Sequence, residues 1–179
     1  LHTGENRGRG EGEAVESSTF HLPTFNLIML GELNHTEIEQ LLNNQHLGKL
    51  GVTDGNMVYI VPVNYVYDGK YIIGHSTEGM KIRLMRQKPD VCFLVENILE
   101  MNQWETVIAW GRFEEITDEE EKQQAMELLW KKMLKLKVGD TAMPPHASAE
   151  RPRERQAGYT SVVIWRIALN KKTGRFERN

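Results

Sequence analysis

The sequence predicts an α+β protein, a small six-stranded antiparallel β-barrel with flanking helices. Three observations predict it. Six segments carry strand patterning and only three carry helical patterning. Asp54-Gly55-Asn56 and Asp68-Gly69 stand between consecutive strand-like runs, as tight antiparallel hairpins require. Helices do not alternate with strands as a doubly wound parallel sheet needs, and no G-x-G-x-x-G occurs.

The elements follow in order. The chain opens on LHTGENRGRGEGEAVESS, without an initiator Met and nearly without apolar periodicity. Such a segment buries too little surface to offset its ordering entropy. Residues 1–28 are therefore read as a flexible leader, an expression remnant or an upstream extension, and 29–179 as the domain, with Met29 as an original start from which helical pattern begins. Leu27-Ile28-Met29-Leu30 is far too short for a secretory signal. Asn34-His35-Thr36-Glu37 marks a helix start, with Ile38, Leu41 and Leu42 on one face and a stop expected near Gly48. Leu47 to Thr53 alternates as a strand. Met57 to Tyr67 is a long strand interrupted by Pro62, which cannot donate to a ladder and so marks a sheet edge, a bulge or a place where something else approaches.

Lys70 to His75 forms the next strand, followed by a short helix over 77–86 with Ile82 and Met85 on one face, ended by Pro89. Val91 to Val95 reads as a buried strand that makes Cys92 an inert core thiol. Trp104 to Phe113 alternates as a long strand. Thr117-Asp118-Glu119-Glu120 reads as a T-x-x-E capping box opening a helix with Ala125, Leu128, Leu129 and Met133 inward. Its acids lie at the start and its lysines at the end, as the helix dipole favours. Residues 138–158 hold Pro144, Pro145 and Pro152 without periodicity and read as a long loop. Tyr159 to Leu169 supplies the last strand.

Composition excludes several classes. The net charge of −3 argues against a general nucleic-acid binder. One cysteine makes neither an internal disulfide nor a cysteine zinc site, and no pair of histidines shows metal spacing. No apolar run reaches the roughly 18 residues of a membrane helix. A cytoplasmic protein that binds neither nucleic acid nor membrane is expected. Charge is uneven, with 12 basic against 18 acidic side chains over 29–148 and 8 against 3 over 149–179. The basic end reads either as a solvated tail or as an anion or docking site.

The densest chemistry is Gly74-His75-Ser76-Thr77-Glu78-Gly79-Met80-Lys81, a strand end running into a helix start. Free backbone amides, small hydroxyls, a glycine and one lysine converge there, which is what a phosphate needs. The same pattern also fits an ordinary cap at Thr77 with a solvated Lys81.

Met29-Leu30-Gly31-Glu32-Leu33, Tyr59 to Gly69, His75-Ser76-Thr77-Glu78-Gly79-Met80-Lys81-Ile82, Lys88-Pro89-Asp90-Val91-Cys92-Phe93 and Trp104 to Gly111 follow one another in an order that resembles the pyridoxamine 5'-phosphate oxidase-related, FMN-binding split-barrel family. Within it, the chain is similar to the nitroimidazole-resistance proteins. The resemblance covers about residues 29–136 and, loosely, the last strand. It implies a split barrel and FMN at a homodimer interface. It implies Lys81 on the phosphate, with His75, Ser76, Thr77 and Met80 lining the same end. The Val61-Pro62-Val63-Asn64 backbone would lie along the isoalloxazine edge, and Trp104, Thr106 and Val107 would reach the flavin from the second subunit. It also implies His75 as the catalytic candidate, donating a proton or holding an anionic substrate; read alone, a histidine at a strand end is more often a hydrogen-bonded structural residue than a catalyst. Two departures stand out. Met80 replaces the arginine that pyridoxamine-phosphate oxidases carry before the lysine, and Arg166-Ile167-Ala168-Leu169 replaces their closing Arg-Leu-x-Pro. The resemblance therefore implies the flavin rather than a vitamin B6 substrate.

Three functions compete at this stage: an FMN-dependent oxidoreductase using a small-molecule substrate and a reduced nicotinamide or similar donor, a non-enzymatic flavin- or haem-binding protein, and a structural dimer with a degenerate site.

Overall fold

The computed structural model describes residues 29–136 and 162–179. The expected leader and the whole of the expected 138–158 loop lie outside them, as does the start of the expected last strand. Eleven elements follow: β1 (Met29–Glu32), α1 (His35–Asn44), β2 (Leu47–Thr53), β3 (Val58–Asn64), β4 (Val66–Tyr67), β5 (Tyr71–Thr77), α2 (Met80–Gln87), β6 (Asp90–Glu100), β7 (Gln103–Glu115), α3 (Glu119–Met133) and β8 (Val162–Arg178).

The eight strands form one antiparallel sheet in the order β3-β2-β6-β7-β8-β5-β4, with β1 on β8. The ends of that path, β3 and β4, are consecutive in the chain and separated only by Tyr65. A sheet whose first and last strands are joined by one residue must curl upon itself, yet no ladder joins β3 to β4. The result is a barrel open along one seam. Tyr65 seals its base: the ring is fully buried, its hydroxyl donates to Leu42 O at 2.7 Å, and it meets Phe93 edge-on at 5.1 Å.

The strand count is eight where the sequence predicts six, for two reasons. The run from Met57 to Tyr67 breaks at Tyr65 into β3 and β4. Met29–Glu32, expected to lead straight into a helix, is a strand because the far end of β8 pairs with it, Met29 opposite Arg178 and Glu32 opposite Arg175. β8 continues to Arg178, beyond the expected end at Leu169.

Helix caps decide the helix ends. Asn34 caps α1 with a reciprocal box, its Oδ1 accepting from Glu37 N at 3.0 Å while Glu37 accepts from Asn34 N at 2.8 Å. α1 ends at Asn44, short of the expected Gly48. Asp118, not Thr117, caps α3, its Oδ1 accepting from Glu120 N and Glu121 N. Leu128, expected inward, is 39% exposed, while Ala125, Leu129 and Met133 are buried. Both hairpin glycines take positive φ, 102° at Gly55 and 96° at Gly69, which explains the Asp-Gly choice.

The barrel interior holds Leu42, Leu50, Phe93, Val95, Val107, Trp165 and Ile167. A second cluster of Val66, Ile73, Ile116, Ala125, Leu129 and Ile164 fastens α3 against the outside of β5 and β8. β5 is thus apolar on both faces. Cys92, expected in the core, is half-exposed on the outer face of β6, because Phe93 and Val91 take the inward positions.

Candidate functional site at the β5–α2 turn

Alternation along β5 sorts the expected site residues. Residues 71, 73, 75 and 77 share one face and 72, 74 and 76 the other. His75, half-buried, pairs with Ile164 on the α3 side, and Thr77 is exposed at the strand end. Ser76 points the other way. It is buried at 6% exposure, donates to His75 O at 2.7 Å and accepts from Trp165 Nε1 at 3.0 Å. His75 and Thr77 therefore lie on one face of β5 and Ser76 on the other.

The turn into α2 has open donors. Gly79 occupies the cap position of α2 without any side-chain cap hydrogen bond, so the alternative of Thr77 as an ordinary cap is absent. A Cβ at Gly79 would meet nothing closer than Thr77 O at 3.9 Å. The first amides of α2 face this space, and they carry the positive end of the helix dipole. Met80 opens the helix, exposed. One residue on, Lys81 is half-buried, and burial pushes its ammonium below the ordinary lysine range. Among the described residues it has neither an ion pair nor a hydrogen bond. A desolvated cation beside uncapped amides fits a phosphate well. Glu78, the nearby acid, is held by Arg86 at 2.8 Å and 3.1 Å, and Arg86 in turn reaches Glu115.

α2 packs on β2, and β3 approaches β5; through the β3-β2-β6-β7 ladders Val61 and Pro62 stand level with Ala109 and Ile108. Val61 and Val63 turn inward; Pro62 is exposed and Asn64 half-exposed. Because β3 pairs only with β2, alternate peptides of β3 point their polar groups into the seam. Pro62 thus sits on a sheet edge, where its missing N–H costs nothing.

Trp104, Thr106 and Val107 are elsewhere. They lie eight to eleven residues along β7 from Glu115, which pairs with Trp165. At about 3.3 Å per residue, Trp104 is roughly 35 Å along β7 from Glu115. Trp104 and Thr106 face outward, and Trp104 Nε1 donates to Glu177 Oε2 at 3.0 Å. Val107 is fully buried in the core, and its backbone is laddered between β6 and β8. The outward side of β7 mixes Trp104, Ile108 and Trp110 with Thr106, Arg112 and Glu114. One cross-strand row runs Ile60, Gly51, Cys92, Trp110, Lys171, with Ile60 66% and Trp110 37% exposed.

Three residues matter here that sequence reading passed over. Trp165 and Arg86 are separated from the turn in sequence, and only the β5–β8 register and the two-turn span of α2 bring them to it. Glu177 pairs Trp104 from the end of β8.

Among the described residues no helix is long and apolar enough to cross a membrane, and no group of three His, Cys, Asp or Glu gathers as a metal site.

An antiparallel barrel left open at one seam, with a lysine at an uncapped helix start, defines the split-barrel class. The sequence model described as Pyridoxamine 5'-phosphate oxidase matches residues 34–175, and the chain belongs to that family. An uncharacterised protein of Rhizobium meliloti is 27% identical over 84 residues, covering 47% of this chain and 56% of that relative, so the match spans about half of the relative's length. The crystal structure of a FAD-binding protein from Mesorhizobium loti is similar with a TM-score of 0.65 and 23% identity, covering 85% of this chain and 99% of that one. A candidate 5-nitroimidazole antibiotic resistance protein from Bacteroides thetaiotaomicron has a TM-score of 0.62 and 21% identity, covering 84% and 89%. At these identities the structures share the fold.

Proposed function

We propose that this protein binds FMN between two copies of itself and works as an oxidoreductase, in the manner of a nitroimidazole reductase. Lys81 carries the reading: a half-buried cation with no counter-charge among the described residues, placed at an uncapped helix start, calls for a phosphate. FAD, named for the Mesorhizobium loti structure, shares that phosphate chemistry. FMN is favoured here because its single terminal phosphate matches a single lysine.

Bound flavin supplies hydride and electron transfer. The chain supplies the rest. Lys81 and the first α2 amides hold the phosphate. The free edge of β3 offers backbone donors and acceptors to the ring system. His75 holds a proton or an anionic substrate beside it. Trp104 and Thr106 serve the site of a second copy, and the outer face of β3, β2, β6 and β7, where Val58, Ile60 and Trp110 are exposed, is the surface on which that copy sits. Cross-chain completion of this kind makes the dimer part of the site.

Purified protein tests this directly. A flavin spectrum, release of FMN on denaturation and anaerobic bleaching by NADH or NADPH are expected. Release of FAD corrects the cofactor, and a flavin that no donor reduces moves the protein to the binding class. A haem spectrum, or a colourless protein that takes up no added flavin, overturns the proposal.

A further inference from the structure

We propose that Trp165 is the positioning residue of the phosphate site, acting through Ser76, and that Ser76 is not itself a phosphate ligand. The inference rests on the reading of Lys81 and its neighbouring amides as that site.

Trp165 stands directly opposite Gly74 in the β5–β8 ladder, on the inward face, and is wholly buried. Its indole occupies the space a side chain at 74 would need: a Cβ there would lie 2.3 Å from one ring carbon and 2.5 Å from the next. Gly74 thus lets the indole lie against the β5 backbone, and the ring's N–H reaches two residues on to Ser76 Oγ at 3.0 Å. The hydroxyl then donates its one proton to His75 O at 2.7 Å. A hydroxyl has one proton and two lone pairs. With the proton on a carbonyl and a lone pair on the indole, Ser76 has no donor left for an anion.

What this relay holds is the last peptide of β5 before the chain leaves for the turn. His75 and Thr77 flank Ser76 on the opposite face, and Gly79 caps α2 three residues later. Pinning Ser76 from inside the barrel sets the direction in which Thr77, the α2 amides and Lys81 emerge. An indole also suits the task better than another polar side chain, because it is held by packing on every side and offers a single donor in one direction.

The test is titration of the flavin-depleted full chain with FMN and with riboflavin, which lacks the phosphate, in wild type, Trp165→Phe, Ser76→Ala, the double variant and Lys81→Met. Loss of one positioning hydrogen bond predicts about a tenfold weaker FMN affinity in each of the first two single variants, riboflavin affinity within about twofold of wild type, and no further loss in the double variant. Equal losses of FMN and riboflavin mean general loosening and overturn the proposal. So does loss in Ser76→Ala without loss in Trp165→Phe, which makes Ser76 a direct ligand. If Lys81→Met loses FMN while Trp165→Phe keeps it, the positioning role fails and the phosphate site stands. Wild type that binds neither compound overturns both.

Discussion

Arg86 holds both carboxylate oxygens of Glu78, Nη2 at 2.8 Å and Nη1 at 3.1 Å, from eight residues further along the chain. The same guanidinium reaches Glu115 through Nε at 2.9 Å. The acid nearest the α2 start is thereby paired with a cation from the far end of that helix.

Arg86→Ala releases that charge. A free carboxylate several ångströms from a bound phosphate predicts FMN affinity lowered about three- to tenfold at low salt. The loss shrinks in about 1 M salt, where the screening length falls to about 3 Å. Fluorescence titration at two ionic strengths checks it; a salt-independent loss contradicts the electrostatic account.

Lys81→Met removes the phosphate's counter-charge and predicts at least a tenfold loss of FMN affinity, about the worth of a charge-assisted hydrogen bond. The apo protein behaves oppositely. Burial holds the Lys81 ammonium below its ordinary range, so the folded state releases that proton more readily than the unfolded chain. Charged Lys81 therefore costs stability at neutral pH, a cost relieved as pH rises towards the unfolded value of about 10.4. Thermal melts of apo protein across pH 7 to 10 should show wild type gaining on Lys81→Met; parallel profiles refute the assignment.

Glu39 ties α1 to two strands. It takes hydrogen bonds from Lys172 and from Tyr67, whose hydroxyl is 2.7 Å away. Burial pushes its carboxyl pKa up, but the bonds from Lys172 and Tyr67 outweigh it and leave the value below the ordinary 4.5. A carboxylate held low contributes stability fully above the unfolded pKa and loses it as pH falls through the folded one. Glu39→Gln is expected to cost about 1 kcal/mol at pH 7, with the difference from wild type shrinking as pH falls from 7 to 3. Urea unfolding at the two pH values measures it.

Ile60→Arg places a charge in the row shared with Cys92 and Trp110, on the face proposed to meet a second copy. Sedimentation is expected to show a monomer, and FMN should be lost with the dimer because Trp104 and Thr106 no longer reach it. A monomer that still retains FMN refutes completion of the site across chains.

His75→Ala is expected to keep bound flavin and lose turnover, since the imidazole shares a face with Thr77 without belonging to the phosphate cradle. Steady-state kinetics of the two flavin-loaded proteins decide it; equal rates make His75 structural.

Local signals were readable where the local chain is the cause. Asn34 and Glu37 cap α1 within four residues, and Asp-Gly makes its turn with no outside help, so both stand as the sequence predicts. Pro62 is likewise where an edge strand tolerates it. β1 escaped because Met29–Glu32 becomes a strand only through Arg175–Arg178, nearly the whole chain away. The site divides in the same manner. Lys81 and the glycine before Met80 are legible as a phosphate motif. The inward turn of Ser76 depends on Trp165 opposite Gly74, a register that no window around residue 76 contains.

The seam beside Tyr65 also governs how copies of this chain can meet. β3 offers an edge interrupted by Pro62, β4 is two residues long, and β1 is four. A strand from another molecule would find little continuous backbone to extend, which is how natural sheets resist runaway edge-to-edge growth. Curling the sheet until its own ends nearly touch removes the template for aggregation and leaves association to the faces, where side chains select the partner.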